Sequence, residues 1–249
     1  MKSGKIGLIE VLLIAGIVIS VVLGLTFHFK NTEQQRTDDW IRSIASGEES
    51  ERRETSYREE ISEDRERVSI LTPETAEIPI DPAVYEDPAD RKIDFTALLE
   101  VNPDIIAWIF IPGTNIDYPV LCAPEGMDED HYLRRDINGK YNSHGCIYAR
   151  RSEMAEDGSI SVIYGHNMRD GTMFGSLTYV DADELFLYTP TAVRRYVFEN
   201  EEIRDPEELY LAGDSYDLTL CTCTRDGSQR YLKHYTLSPP TSSDPFNNS

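Results

Sequence analysis

The segment around which this sequence is organised reads Leu218-Thr-Leu-Cys-Thr-Cys-Thr-Arg-Asp-Gly-Ser-Gln-Arg230. Leucines and a threonine alternate with a second set that includes Cys221 and Cys223, which is the two-residue period of a β-strand with one buried face. The dipeptide Asp226-Gly227 is typical of a turn, and residues 230–237 predict a returning strand. The segment therefore predicts a β-hairpin in which both cysteines project from the same face.

A hairpin of this kind brings Arg230 close to Cys223. A guanidinium beside a thiol lowers the pKa of the thiol and so raises the fraction of thiolate, the nucleophilic form. A catalytic interpretation also needs a group that carries protons. The best candidate is His166, within the run Val162-Ile-Tyr-Gly-His-Asn-Met168, because it follows a predicted strand and precedes a turn.

Together these residues resemble the sortase family, and class B sortases most closely. The resemblance covers roughly residues 91–237, and its most specific parts are the YGHNM and TLxTC segments. The matching segments follow one another in the family's order: Ala107-Trp-Ile-Phe-Ile-Pro-Gly-Thr-Asn-Ile-Asp-Tyr-Pro-Val120, Tyr132-Leu133 with Asp136, Tyr164-Gly-His-Asn-Met168, Met173-Phe-Gly-Ser-Leu177, Leu218-Thr-Leu-Cys-Thr-Cys-Thr224 and Arg230.

The fold class expected from the residues is mainly β. Short predicted strands recur along the chain, and this spacing is typical of a barrel or a sandwich. They cover residues 107–111, 116–121, 145–149, 160–164 and 195–198, in addition to the hairpin. The resemblance narrows the expectation to a closed sortase-type β-barrel with short helices. One of these helices is predicted over residues 93–100, with Asp94 as its N-cap.

The composition divides the chain into four predicted regions. Residues 1–30 are expected to form a cytoplasmic tip and a transmembrane signal-anchor, and residues 31–92 a charged stalk or linker with a proline-rich end. Residues 93–237 carry most of the aromatic residues and predict the catalytic domain. Residues 238–249 predict a disordered tail.

The apolar run of residues 6–29 is long enough to span the hydrocarbon layer of a membrane. Lys2 and Lys5 precede it, which by the positive-inside rule predicts a cytoplasmic N-terminus and an extracellular catalytic domain. A cleaved signal peptide is the alternative. We favour the uncleaved anchor because the residues after the run are bulky where cleavage would fall. The predicted location is therefore the cell membrane, with a single pass.

The formal net charge of the chain is −21. Binding of nucleic acid depends on basic patches that neutralise phosphates, so this charge argues against a nucleic-acid partner. Much of the acid falls in the stalk and in residues 199–208, and a solvated surface explains it.

The four cysteines leave some alternatives open. The TLxTC pattern favours Cys223 as the nucleophile over Cys221, which occupies its variable position. A disulfide between Cys122 and Cys146 is one alternative, although small buried thiols are the commoner outcome. Zinc binding by the Cys-x-Cys pair with His166 or His234 is another, but no fourth ligand has an obvious motif. We therefore expect no metal and no other cofactor.

The resemblance implies the roles of the site residues. Cys223 is the expected nucleophile, His166 the acid and base, and Arg230 the group that binds the substrate backbone and stabilises the oxyanion. Thr222, Asn167 and Tyr164 are expected to contact the substrate. The remaining histidines His28, His131 and His144 are expected to be structural or exposed.

The implied activity is that of a membrane-anchored cysteine transpeptidase, as in Gram-positive bacteria. It cleaves a C-terminal sorting signal after threonine through an acyl-enzyme and transfers the surface protein to an amine of a cell-wall precursor or a pilin. Class B sortases carry a long helical insertion before the cysteine strand, whereas here only residues 199–217 lie in that place. This short connection keeps a noncatalytic surface module on the same scaffold as an alternative, and a hydrolytic cysteine protease that uses the same residues is another.

Overall fold

The computed structural model describes residues 8–48, 87–208 and 216–239. The chain separates into two compact units, residues 1–41 and residues 42–249. The predicted signal-anchor begins before the first described residue, most of the predicted stalk lies outside the described residues, and so does the tail from residue 240 onward.

Helix α1, Leu8–Ala45, forms the described part of the first unit and extends a few residues beyond it. Along the middle of α1 the large apolar side chains are exposed: Ile17, Val18, Ile19, Val21, Val22, Leu23, Leu25 and Phe29. Within the described ranges, no helix combines the length and the hydropathy that crossing a bilayer requires.

The second unit contains a closed barrel. Its eight strands, counted over the described residues, are β1 Ile105–Phe110, β2 Asp117–Cys122, β3 Ile147–Ala149, β4 Val162–Tyr164, β5 Glu184–Tyr188, β6 Val193–Arg204, β7 Leu218–Cys223 and β8 Arg230–Leu237. Their order around the barrel is β1-β2-β3-β4-β7-β8-β6-β5, and β5 closes it against β1. Neighbours are antiparallel except for the pairs β2–β3 and β4–β7, which are parallel. The predicted mainly-β barrel is confirmed.

Most of the predicted strands are confirmed within two or three residues at their ends, but two differ. Strand β6 is longer than the predicted residues 195–198, because its second half continues to pair with β8 as far as Arg204. Strand β5 was not predicted. Its sequence, Glu-Leu-Phe-Leu-Tyr, has no two-residue alternation, since four of its five side chains are buried.

Helix α2, Phe95–Val101, follows the predicted boundaries closely, and its predicted cap is confirmed. The Asp94 carboxylate accepts a hydrogen bond of 3.0 Å from the backbone N–H of Ala97, which satisfies one of the free donors at the helix start. Residues 174–179 form turns. Single 3₁₀ turns occur at Pro88–Asp90, His131–Arg134, Arg151–Glu153 and Pro206–Glu208.

The burial of strand β7 follows the predicted alternation on one face only. Leu218 and Leu220 point into the barrel core, as predicted. On the other face Thr219 and Cys221 are also buried, with exposed fractions of 3% and 2%. Cys223, at the end of the strand, is the first residue on that face that solvent reaches, and it is half-buried. Other segments of the protein therefore cover both faces of β7, and solvent reaches only its last residue, Cys223.

Candidate active site

The end of the β7–β8 hairpin sets Cys223 beside Arg230. Cys223 is the last residue of β7 and Arg230 the first of β8, and the two are direct partners in the antiparallel register. Partners of this kind have Cα atoms about 4.5–5.5 Å apart and side chains on the same face. Both side chains are half-buried, and no carboxylate among the described residues forms an ion pair with Arg230. The Arg230 guanidinium is hydrogen-bonded to the Gln229 carbonyl, at 3.2 Å.

Cys221 lies on the same face, two residues earlier, but in a different environment. Burial raises the pKa of its thiol to about 12, an effect that the nearby Arg230 guanidinium opposes only in part. At neutral pH Cys221 is therefore a protonated thiol without access to solvent, and it is poorly suited to nucleophilic attack. Burial gives a physical reason to prefer Cys223 that the strand pattern alone did not provide.

His166 lies in the loop that follows β4. Its Nε2 atom is 2.8 Å from the Leu133 carbonyl oxygen, and because a carbonyl only accepts, Nε2 carries a proton. Burial lowers the pKa of His166; the bond to Leu133 opposes this shift, and the nearby charges of Arg134 and His144 add to it. The imidazole is therefore held in a defined orientation, with Nδ1 as the nitrogen available for proton transfer.

The acceptor of His166 is itself held by close packing. Gly145 has a φ of +60°, and a Cβ atom at this position would lie 2.3 Å from the Leu133 carbonyl oxygen. Only glycine fits there. The neighbouring residue, His144, is buried and reaches the His166 loop, where its Nε2 is 3.4 Å from a carboxylate oxygen of Asp170. The loop of residues 142–146 thus packs against Leu133, whose carbonyl binds His166, and also contacts Asp170 in the loop that carries His166.

Asn167 and Thr222 connect the histidine loop to the cysteine strand. Asn167 donates from Nδ2 to the backbone carbonyl of Cys223, at 2.8 Å. Thr222 donates from its hydroxyl to the carbonyl of Gly165, at 2.7 Å, and its side chain is buried. Their expected contact with substrate remains a prediction. In this structure both side chains bind the protein's own backbone.

Tyr164 is buried within a polar cluster on the outer face of the barrel. Its hydroxyl donates to Glu153, at 2.6 Å, and the guanidinium of Arg150 lies 4.6 Å from its ring centroid. Arg150 also pairs with Asp130, at 2.8 Å. Burial raises the pKa of Glu153, and burial together with the bond to Glu153 raises the pKa of Tyr164. The predicted substrate contact of Tyr164 remains a prediction, since its hydroxyl is already used within the protein.

The other histidines lie in distinct environments. His234 is fully buried between Thr219, 2.9 Å from Nδ1, and Glu202, 3.0 Å from Nε2. It is thus part of a polar network on the outer face of β8. His131 is half-buried with its ring edge-on to Tyr132. Among the described residues no group of three or more His, Cys, Asp or Glu is arranged to hold a metal ion, and all four cysteines are free thiols, so the Cys122–Cys146 bridge does not form.

Two parts of the site had no signal in the sequence. The acceptor of His166 is a main-chain carbonyl, that of Leu133, which no residue pattern marks. The half-buried cluster of Glu153, Arg150 and Asp130 lies in loops outside the predicted strands, so periodicity could not have found it. Both depend on contacts between distant parts of the chain.

Comparison with known proteins gives a consistent result. A family model for the sortase domain matches residues 109–237. Sortase B of Listeria monocytogenes is 32% identical over 130 residues, which is 51% of each protein. Sortase B of Staphylococcus aureus is 34% identical over 84 residues, which is 33% of each. The crystal structure of Clostridium perfringens sortase B superposes with a TM-score of 0.50 at 25% identity and covers 58% of this chain and 99% of that one.

The matched part of these relatives is limited. The alignments span about half of the length of the Listeria monocytogenes protein and about a third of the Staphylococcus aureus protein. The match to the family model, residues 109–237, falls on the part of the chain that carries the barrel. The expected resemblance to class B is confirmed for this region.

Proposed function

This chain belongs to the sortase family, and from that premise we propose that it is a membrane-anchored cysteine transpeptidase in which Cys223, His166 and Arg230 carry out the reaction. The observation that supports this most is the junction of three elements at the end of β7. Cys223 ends this strand, Arg230 faces it across the hairpin, and the loop of His166 is hydrogen-bonded to the carbonyl of Cys223 through Asn167.

In the first half of the proposed reaction, the Cys223 thiolate attacks the carbonyl carbon of the threonine in a sorting signal. The negative charge that develops on the carbonyl oxygen is stabilised by the Arg230 guanidinium, which has no carboxylate partner among the described residues. His166 as imidazolium then gives the Nδ1 proton to the departing amine. The neutral ring that remains keeps its Nε2 proton on the Leu133 carbonyl.

In the second half, an amine attacks the thioester carbonyl. Neutral His166 accepts a proton at Nδ1 from the attacking amine, and Cys223 leaves as the thiolate. The product is a new amide, and the enzyme returns to its starting protonation state. The proton that His166 gives to the departing amine is thus replaced by one from the attacking amine, and no metal or cofactor is involved in these steps.

The proposed substrates are surface proteins with a C-terminal sorting signal, and the proposed acceptor is an amine of a cell-wall precursor or a pilin. The proposed location is the outer face of the cell membrane, with the N-terminus in the cytoplasm. The exposed apolar residues along α1, from Ile17 to Phe29, support contact of this segment with lipid, since water disfavours so large an apolar surface.

Intact-mass spectrometry of the full-length chain with a panel of sorting peptides tests the activity. The expected result is a covalent adduct of the peptide's N-terminal part on Cys223, and an amide product when an amine is added. A free acid as the sole product at saturating amine would indicate a hydrolytic protease instead. Absence of an adduct with every peptide, from protein whose Cys223 reacts with iodoacetamide, would favour a noncatalytic module.

A further inference from the structure

Beyond the end of β4, the hydrogen bonds between β7 and the loop that carries His166 change from main-chain to side-chain bonds. The last main-chain bond runs from the N–H of Gly165 to the carbonyl of Cys221, at 3.2 Å. The next two contacts are made by side chains, from Thr222 to the Gly165 carbonyl and from Asn167 to the Cys223 carbonyl, at 2.7 and 2.8 Å. His166 lies between the two residues of its loop that make these contacts. The parallel β4–β7 ladder is therefore continued by side chains up to Cys223.

Of the two polar atoms in the Asn167 side-chain amide, only the nitrogen, Nδ2, has a hydrogen-bond partner among the described residues. Its Oδ1 atom is buried, and it has no hydrogen-bond partner among the described residues. Rotating the amide by half a turn would place this oxygen against the Cys223 carbonyl oxygen, and two acceptors repel each other. The bond from Nδ2 to Cys223 therefore fixes the orientation and leaves Oδ1 unpaired. A buried acceptor without a donor destabilises a fold, so stability does not account for asparagine at this position.

Thr222 makes the other side-chain contact across this junction. The side chain is 2% exposed, and its hydroxyl proton is used on Gly165. A valine would have nearly the same shape and would fill the same space. The particular feature of threonine here is the single hydrogen bond that crosses from β7 to the residue before His166.

We propose that Asn167 and Thr222 are positioning residues, which hold the backbone on either side of His166 at a fixed distance from Cys223 by hydrogen bonds across the β4–β7 junction. This assignment rests on the proposed function of Cys223 and His166. Neither residue touches the reacting atoms. Each acts on the chemistry through the backbone of the residue that does, and a displacement of about 1 Å in such an arrangement can lower turnover about 10²-fold.

The test uses the full-length chain and three variants, Asn167→Leu, Thr222→Val and Thr222→Ser. Tyr235→Phe is the matched control, because it also removes a buried bond from a side chain to a main-chain carbonyl, that of Ala182 at 3.1 Å, within the barrel core. The measurements are the melting temperature, kcat and KM with a sorting peptide, and the pH dependence of iodoacetamide alkylation at Cys223.

We expect Asn167→Leu and Thr222→Val to lower kcat by about 10-fold or more with less change in KM. Thr222→Ser should recover most of the loss. The melting temperature should not fall in Asn167→Leu. This substitution removes the stabilising bond from Nδ2 to Cys223, but it also removes the unpaired Oδ1 atom, which destabilises the fold. The pH midpoint of Cys223 alkylation should move toward that of a free thiol in both low-activity variants. Tyr235→Phe should melt earlier and keep its kcat.

A purely structural role would reverse this pattern. It would be shown by a lower melting temperature in Asn167→Leu and Thr222→Val with kcat and the alkylation midpoint unchanged. A rise in KM alone would overturn the proposal in favour of the substrate contacts expected from the family. The alkylation measurement needs no sorting peptide. Failure of the proposed function would therefore appear as an inactive wild-type protein, whereas failure of the positioning role would appear as an unchanged alkylation profile.

Discussion

Cys223 and Arg230 are direct partners across the β7–β8 hairpin, at the point where its two strands are joined by the turn. The backbone pairing of the hairpin therefore fixes the distance between their Cα atoms, and the conformation of the turn does not decide it. Arg225, the other arginine of this hairpin, lies in the turn and is exposed. This relationship separates the two arginines more clearly than their distance from Cys223 along the chain.

Arg230→Lys should not preserve activity. Lysine keeps the positive charge but lacks the planar set of donors that can contact two oxygens at once. We expect Arg230→Lys and Arg230→Ala each to lower turnover about 10²–10³-fold, or roughly 3–4 kcal/mol, with little change in thermal stability. Steady-state kinetics with a sorting peptide measures this. Arg225→Ala is the control and should stay near wild type; a large loss there, with Arg230→Lys active, would show that the roles are exchanged.

The two cysteines of β7 should differ in reactivity. Cys223→Ala should abolish the acyl-enzyme, while Cys221→Ala should leave most of it, because the Cys221 thiol is buried and its pKa is raised to about 12. Intact-mass spectrometry after incubation with a sorting peptide gives the adduct. Equal loss in both variants, with folding intact by circular dichroism, would point to a metal site or a redox pair, and zinc content would distinguish these.

Gly145→Ala should lower both stability and activity. A Cβ atom there would meet the Leu133 carbonyl, which is the acceptor of His166. Gly113→Ala is the matched control, because Gly113 also has a positive φ, of 74°, but has open space around it. The strain alone costs about 1–2 kcal/mol, so Gly113→Ala should lose that much and keep its turnover. Chemical denaturation and peptide cleavage measure the two quantities. Equal behaviour of the two variants would contradict the proposed importance of the Leu133 contact.

His166 should make the fold less stable as the pH falls. Burial lowers its pKa in the folded state below the ordinary histidine value of 6.5, so the unfolded chain binds a proton first. The free energy of unfolding therefore decreases as the pH falls from about 6.5 through the folded pKa of His166. Above about pH 6.5 this contribution to stability is fully present. His166→Gln should lack this part of the pH dependence. Urea denaturation of both proteins at pH 7.5 and pH 5 checks it; identical differences between the two pH values would refute the prediction.

The topology of the chain should be that of a single-pass membrane protein with its N-terminus inside. Protease added to intact protoplasts should degrade residues 31–249 and leave an N-terminal tag intact. The basic residues before the apolar run give the physical reason. Loss of the N-terminal tag with a protected C-terminus would indicate the opposite orientation, and release of the whole chain into the medium would indicate a cleaved signal peptide.

The local features of the fold were predictable because each depends on neighbours in sequence. Strand β7, the cap of Asp94 on α2 and the turn at Asp226-Gly227 are set by backbone preferences over a few residues. The ordered segments around His166 and Cys223 were enough to indicate the family. Strand β5 was missed because burial on both faces removes the alternation on which the prediction relied.

The sequence by itself determined that Cys221 and Cys223 share one face of a strand, that Arg230 begins the returning strand, and that His166 follows another strand. Only the tertiary structure decided that Cys221 is buried while Cys223 is reached by solvent, and that His166 is oriented by the Leu133 carbonyl. The reason is physical: strand periodicity is a property of adjacent residues. Burial, cross-strand hydrogen bonds and the orientation of an imidazole depend instead on residues more than 30 positions away, which the closing of the barrel brings together.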